Sequence, residues 1–537
     1  MFGALIQRWT AGWRGMVLVA AVALIAAAPG MALPVLDREE ARTAQSTAQM
    51  LESGDFISID FQDEIRAGQP VGVYWPQAAS VALFSNSEAR QIWPYRIPSL
   101  IGAVLLAMAC GYGAAAFWGS RTGCLAGAGL GATLLAATLG AIATADALAA
   151  AAATLAMAML ARLYAEPPES PRKRRRERIV FWGALSAASL CGGWVPPAIA
   201  LIAALILAAA DRGAAWAGKI GWAWGLILMA AVLGPWMIAI TVATDGAFWA
   251  GDGPSSPLSL VPRLAGALFA SFPLIALLPA AAVYAHRHRG EPGVRFAIAW
   301  FAAGLMLFVL RPGASLGEAL LFYSPLAWLC AAAWGRETGP LARWSGAGLA
   351  AFGALALTVG VLWLLRTYGD PDDAALGAVT IVLLAGAGAA CAFAAERRQL
   401  TPLILAAALS IVGEGLLTGA LLPRLDLLWP SQRAVAALQR NGLDPTDGFV
   451  QGPVTVAGYD EPSLVFALGA ETEFADARAA ARAINEGRPA IVEAADAAEF
   501  TALLARFGLR AAPVATIRGL DYSENRPVAL TIWRKTP

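Results

Sequence analysis

Leu33-Pro34-Val35-Leu36-Asp37-Arg38-Glu39-Glu40-Ala41-Arg42 is the stretch that decides how this chain is read. An apolar run, Gly15 to Leu33, stands before it, and a polar segment continues after it to about residue 96. Connections in compact domains commonly run only a few residues, so a loop this long must carry structure of its own. Ala41, Ala44, Ala48 and Leu51 recur at spacings of three and four, which predicts a helix from about Glu39 to Glu52 with one apolar stripe. Ser53-Gly54-Asp55 stops it, and a second helical run, Pro76 to Phe84, follows Val71-Gly72-Val73-Tyr74-Trp75. Two short helices with one greasy face each are expected to lie along a membrane surface. Tyr74, Trp75, Trp93 and Tyr95 suit that interface.

Composition places the loop in a membrane protein. Hydrophobic residues make up 58% of the chain and charged residues 14%, and the mean hydropathy is +0.59. A soluble domain of this size could not solvate such a surface. The apolar runs are ~20 residues long, enough to cross a bilayer core. The net charge of +1 gives no reason to expect nucleic acid. The five cysteines (Cys110, Cys124, Cys191, Cys330, Cys391) all fall in apolar runs, which indicates neither a disulfide framework nor a zinc site. The first run has the look of a signal peptide, but many more spans follow it, and a retained first helix is the expectation.

Spans read near 15–33, 97–118, 122–142, 145–164, 179–195, 197–210, 220–242, 264–285, 295–310, 319–334, 346–365, 374–395 and 401–421, about thirteen in all. Arg172 to Arg178 after the fourth, Arg287 and Arg289 after the eighth, Arg336 and Arg343 after the tenth, and Arg397 and Arg398 after the twelfth share one side, expected to be cytoplasmic. Arg8 and Arg14 put the amino terminus there too. The loop at 34–96 and everything past residue 423 then face the opposite side. The organisation expected is a membrane domain over 1–423 and a soluble domain over 424–537, an all-α polytopic bundle with a small C-terminal α/β domain. Within the tail, Val465–Leu468, Ala490–Val492 and Val528–Trp533 read as strands, and Asp476–Asn485 and Ala497–Phe507 as amphipathic helices.

Asp37, Glu39 and Glu40 put three carboxylates at the end of the first span. Acids so spaced can share a divalent cation, or one can act as general base while another orients it. A solvated helix start, where acids are favoured by the helix dipole, is the plainer reading. Asp146 stands at the mouth of the fourth span, and Glu414 lies inside the thirteenth, positions where ionisable groups are costly. No Gly-rich phosphate loop, no His/Cys metal constellation and no Gly-x-Ser-x-Gly elbow is present.

Leu36-Asp37-Arg38-Glu39-Glu40-Ala41-Arg42, Met50 to Phe56, Pro70 to Trp75, Tyr95-Arg96-Ile97-Pro98-Ser99 and the tail segment Ala457 to Leu464 together resemble the GT-C glycosyltransferases. The lipid A aminoarabinose transferases (ArnT-type) and the wider protein O-mannosyltransferase-like group are the families in view. Those enzymes move a sugar from a polyprenyl-phosphate carrier to an acceptor outside the membrane. The resemblance implies an inverting displacement, in which an acid of the first loop deprotonates or orients the acceptor hydroxyl and cations hold the leaving phosphate. It assigns the catalytic acids to Glu39 and Glu40, with Asp37 just before them, and to Asp146.

The departures from the pattern are specific. Relatives carry Asp at Glu39 and Lys at Gln69, and many read Lys-Thr-Asp where this chain has Thr144-Ala145-Asp146. Where many have a Lys-Leu-Pro-His-Tyr-like run, this chain has Ser315-Leu316-Gly317-Glu318-Ala319, and its two histidines, His286 and His288, fall in a loop on the other side. The phosphate grip would then pass to Arg263 and Arg311, with Arg42, Arg66 and Gln69 near the donor. Tyr74, Trp75 and Arg96 are expected to line the substrate cavity. A divalent cation, on Glu39 if anywhere, is the one cofactor considered. Two classes stay open: an active transferase taking a lipid or glycan acceptor among the membrane lipids, and a degenerate paralogue serving as a lipid-binding or partner-binding scaffold. The expected location is a bacterial inner membrane, with the site and the C-terminal domain in the periplasm.

Overall fold

The computed structural model describes residues 12–35, 38–165, 171–250, 259–397, 399–448 and 452–536. Helix α1 (Gly12–Ala27) is followed by the cap, which holds α2 (Arg38–Ser53), the short hairpin β1 (Asp60–Phe61) and β2 (Glu64–Ile65), and α3 (Tyr74–Phe84). The periodicity thus placed both cap helices to within about two residues. Their surroundings differ from the expectation. Helix α2 is not an interfacial helix with one wet face: Ala41, Ala44 and Ala48 are fully buried, and so are Thr43, Gln45, Ser46 and Thr47. Membrane domain and tail cover it from different sides.

The bundle continues through α4 (Trp93–Gly131), α5 (Leu134–Ala141), α6 (Asp146–Ala165), α7 (Pro171–Gly192), α8 (Val195–Ala210) and α9 (Trp222–Ala243). Then come α10 (Leu260–Phe269), α11 (Leu278–Arg287), α12 (Pro292–Leu310), α13 (Leu320–Ala333), α14 (Pro340–Tyr368), α15 (Ala374–Arg397) and α16 (Leu400–Leu416). Nine of the described helices are long and apolar enough to cross a membrane. Gly119, at φ +82°, breaks α4 into a hairpin of two helices, a conformation that a residue with a Cβ would resist. Segments 260–269 and 274–287 form a helix pair bent by 90°. With nine or more apolar spans among the described residues, the chain is a multi-span membrane protein.

Small residues let these helices touch. A Cβ on Gly127 would stand 2.5 Å from the Ala107 carbonyl across the hairpin and 2.9 Å from Val19 of α1. Between helices in lipid, where burial of apolar surface drives little, such close approach supplies the attraction.

The tail opens with α17 (Pro430–Arg440) and builds a five-stranded sheet in the order β4-β3-β5-β7-β6. Its elements are β3 (Thr455–Ala457), α18 (Pro462–Leu468), β4 (Glu473–Ala475), α19 (Ala477–Asn485), β5 (Ala490–Glu493), α20 (Ala497–Arg506), β6 (Ala511–Asp521) and β7 (Arg526–Lys535). Strands β4, β3 and β5 run parallel, while β7 is antiparallel to both β5 and β6. The sheet and both expected helices are present. One expected strand is not: Val465–Leu468 is the end of α18. Pro462 starts that helix at its first turn, where the missing N–H costs nothing. A four-residue apolar run carries no period of its own to exclude a helix.

Tail and cap are packed together. Phe466 of α18 meets the Tyr95 ring edge-on at 5.4 Å, in a cluster with Ala44, Ala48, Val81 and Ala143. Gln62 in the β1–β2 turn donates to the carbonyls of Ala470 and Thr472 at 2.9 and 2.6 Å.

Candidate active site

The first turn of α2 carries Glu39 and Glu40 side by side, and a step of about 100° per residue sends them to different faces. Glu39 remains 44% exposed and accepts a hydrogen bond from Arg66 Nη2 at 2.6 Å. Arg66, which follows β2, is only 5% exposed, and its Nη1 donates to the Tyr74 hydroxyl at 2.8 Å and to Thr43 Oγ1 at 3.3 Å. Hairpin and α3 therefore hold one guanidinium that fixes a half-exposed carboxylate. Tyr74 in turn packs with Met50, Val71 and Val73, next to Ala145 and Leu148 at the start of α6.

Glu40 faces inward and is fully buried. Arg96 of α4 grips both its oxygens, Nε to Oε1 at 2.7 Å and Nη2 to Oε2 at 2.8 Å, and the Ala143 N–H donates to Oε1 at 2.8 Å. The same guanidinium donates to the carbonyls of Met31, Leu33 and Pro34 in the link from α1 to α2. Arg96 is thus not a cavity-lining residue: with every face taken and no exposure, it joins α4, the link and α2. Tyr74 is also 1% exposed and held under Arg66, which removes it from any cavity wall.

Asp146 caps the start of α6, half-buried, with Oδ2 accepting from Thr144 Oγ1 at 3.1 Å. Its carboxyl lies against Gly317, where an added Cβ would come within 2.4 Å of Asp146 Cγ. The segment 142–146 therefore stands between the buried Glu40 pair, through Ala143, and the Ser315–Ala319 turn, through Asp146. Asp37 lies outside the described residues.

The arginines named for the phosphate are already engaged. Arg263 is 3% exposed and donates to the carbonyls of Val309, Arg311, Pro312 and Ala314 at 3.2 to 3.4 Å, with its guanidinium 5.0 Å from the Phe308 ring centre. It closes the turn after α12, while Arg311 in that turn pairs with Glu318. Arg42 lies 5.8 Å from the Phe61 ring centre, and Gln69 is half-buried just before the Val71–Val73 turn. Trp75 is 40% exposed and donates to the Phe56 carbonyl at 2.9 Å. It roofs an apolar groove of about 760 Å³ that runs down between α4, α6 and α7, past Leu105, Met108, Leu148, Ala152 and Ala187. Glu414, in α16, is buried with Ser410 as a hydrogen-bond partner at 2.7 Å and belongs to none of these groups.

Among the described residues, no three His, Cys, Asp or Glu side chains converge to hold a metal. Glu39 gives one oxygen to Arg66, a cation already.

The sequence pointed to Glu39, Arg66 and Asp146 but missed Arg38, which donates to the Asp460 carbonyl where tail and cap join, and the buried Glu461 next to it. The tail segment Tyr459-Asp460-Glu461-Pro462 was the available signal. An acid immediately before a helix-opening proline, in a domain with ordinary charge density, did not announce its burial.

No protein-family model matches the chain. It is 25% identical over 324 residues to the undecaprenyl phosphate-alpha-4-amino-4-deoxy-L-arabinose arabinosyl transferase of Pectobacterium atrosepticum, an alignment covering 57% of this chain and 56% of that protein. The chain thus spans only about half the length of the curated relatives it matches. In structure the likeness runs further. The crystal structure of ArnT from Cupriavidus metallidurans in the apo state superposes with a TM-score of 0.77 at 18% identity, over 96% of this chain and 97% of that one. The form of that protein bound to undecaprenyl phosphate gives 0.73 at 17% identity, with the same coverage. The chain thus has the fold of that ArnT over nearly its whole length.

Proposed function

We propose that this chain is a membrane glycosyltransferase that moves a sugar from a polyprenyl-phosphate donor to a lipid or glycan acceptor on the extracytoplasmic face. One observation carries the reading: Glu39, of the first-loop acids within the described residues, stays half-exposed to solvent while a buried arginine fixes its direction. A base must be positioned and still reachable, and Glu39 meets both conditions. In the proposed step the acceptor hydroxyl oxygen attacks the anomeric carbon. Glu39 takes the hydroxyl proton, and the bond from that carbon to the phosphate oxygen breaks, with its electron pair leaving on the phosphate. Asp146, held against Gly317, orients the acceptor or the sugar. Glu40 takes no part in the chemistry, because its oxygens are occupied and its surroundings are dry.

The similarity to an arabinosyl transferase that uses undecaprenyl phosphate supports a lipid-linked donor. The groove beneath Trp75 offers an apolar path for a lipid chain in the leaflet next to the cap. Basic residues gathered on the far side of the bundle support a cytoplasmic amino terminus and a tail on the opposite face, in the inner membrane of a bacterium.

A second reading has its own observation. Arg263 and Arg311 are held by protein carbonyls and by Glu318, which leaves a leaving phosphate less well served than in the ArnT-type pattern. A scaffold that binds carrier lipid without transferring sugar would show this arrangement. Transfer assays on membranes containing the chain or its Glu39→Gln and Asp37→Ala variants decide between the two, with polyprenyl-phosphate sugars offered and products read by mass spectrometry. A product lost in folded Glu39→Gln supports the transferase. Carrier binding without product from any donor supports the scaffold.

A further inference from the structure

Helix α16 meets its neighbours closely at the cap end and parts from them toward the other. In the turns after α16, a Cβ on Gly419 would stand 2.9 Å from the Pro29 carbonyl oxygen, and one on Gly415 would stand 3.1 Å from the Pro29 ring. One turn further from the cap, Ile411 still packs with Ala26, Ala132 and Ala137. Past that level a groove of about 500 Å³ opens between α1, α4, α13 and α16, its walls almost wholly apolar. Leu18, Val22, Ala128, Leu274 and Leu403 are among the residues that line it. Leu18 and Ile404, which also line it, are exposed, so the groove opens sideways into the hydrocarbon around the bundle. A groove without polar partners gives water nothing to bond, and an acyl chain suits it.

The mouth away from the cap has a different chemistry. Leu277 and Trp334 line the groove and also a small crevice that Arg343, in the first turn of α14, shares with them. Arg343 is half-buried, and its guanidinium has no hydrogen bond or ion pair among the described residues. Arg14, one turn before Leu18 on α1, and Arg397, at the end of α15, stand at the same end of the bundle. Arg397 is offset by Glu396 at 3.9 Å, whereas Arg343 is not.

We propose that this groove holds a phospholipid of the leaflet opposite the cap, with an acyl chain between α1 and α16 and an anionic headgroup on Arg343. A guanidinium binds a phosphate through parallel N–H···O bonds. Basic pockets between membrane helices select anionic headgroups, and a tryptophan suits headgroup depth. The lipid then supplies packing between α1 and α16 where their own side chains do not meet. The site shares no residue with Glu39, Arg66 and Asp146 or with the groove beneath Trp75, and it stands independently of the transferase reading.

The test uses the full chain in phosphatidylcholine nanodiscs doped with a lipid that carries a photoreactive diazirine on its acyl chain. The probe is either phosphatidylglycerol or phosphatidylcholine, and crosslinked peptides are read by mass spectrometry. Phosphatidylglycerol is expected to label α1 and α16 several-fold more than phosphatidylcholine. Arg343→Gln is expected to bring the two probes level, and Arg343→Lys to keep most of the preference. Arg289→Gln, at the same end of the bundle but outside the groove, should leave it unchanged. Ala407→Leu, which narrows the groove and leaves Arg343 intact, is expected to lower labelling by both probes. Thermal unfolding of each variant confirms that it is folded. Equal labelling of the wild type, or a preference that survives in folded Arg343→Gln, overturns the proposal. So does displacement of the phosphatidylglycerol probe by equimolar polyprenyl phosphate, which assigns the groove to a carrier lipid instead.

Discussion

Two glutamates adjacent in sequence have opposite fates in this protein. Glu39 is half-exposed and paired with Arg66, whereas Glu40 is fully buried and gripped at both oxygens by Arg96. The residue type is the same and the backbone separation is one peptide. What differs is the face of α2, and through it the partner: a guanidinium from the neighbouring hairpin, or one from the next membrane helix. An acid that works on a substrate needs an arginine that fixes it without covering it. An acid that holds a fold needs one that covers it completely, because an uncompensated charge in a dry interior is costly.

Breaking the inner pair is expected to have the largest effect. Arg96→Ala leaves Glu40 buried without a counter-charge and frees the carbonyls of the 31–34 link, a loss of about 3–5 kcal/mol. It should show as a steep fall in folded yield and in thermal midpoint, while Glu40→Gln, which keeps several hydrogen bonds, loses less. Glu39→Gln tests the outer face. Transfer should drop by about 10²–10⁴ with little change in thermal midpoint, and transfer that survives in this variant rejects Glu39 as the base.

A subtler variant moves the second acid instead of removing it. Gly317→Ala puts a methyl into the Asp146 carboxyl, and a shift of even ~1 Å at a reacting group is expected to slow transfer tenfold to a hundredfold. Binding of carrier lipid should change far less, which a lipid-binding assay on the same preparation checks.

The smallest effect concerns pH and stability. The Glu461 carboxyl rises from its ordinary value of 4.5 to about 7 in the folded tail, mainly through burial. Between those values the folded state keeps a proton that the unfolded chain has released, so stability falls as pH rises through that window and levels off above about 7. Glu461→Gln should remove that slope, seen as thermal midpoints, differing by roughly a few degrees, that converge toward acid pH.

Much of this fold was legible because its signals are local. The apolar stripe at Ala41, Ala44 and Ala48 marked α2, and Pro76–Phe84 lies within α3. The hairpin inside α4 was read as two spans because Gly119 and Arg121 interrupt the apolar run. What failed depended on partners far away in the chain. Nothing in Glu40 announces an arginine 56 residues later, so both acids looked alike. Arg263 and Arg311 looked available because a sequence does not show which carbonyls a turn leaves unpaired. Val465–Leu468 was misread since an apolar run this short fits strand and helix equally. Arg66, by contrast, was named on charge and position, and the structure adds that it serves Glu39.

The Arg96 clasp has a consequence for how the protein is made. A nascent chain that has inserted α1 and made the cap carries Glu40 and the carbonyls of Met31, Leu33 and Pro34 before their guanidinium partner is in place. That donor enters only with the head of α4, so the exit of the first helix is completed by the second crossing. Reporter fusions that end inside the cap, before Trp93, would therefore sample an unlatched first helix. Those that end beyond the Gly119 turn would sample a latched one, and the amino-terminal anchor of this protein matures as a pair.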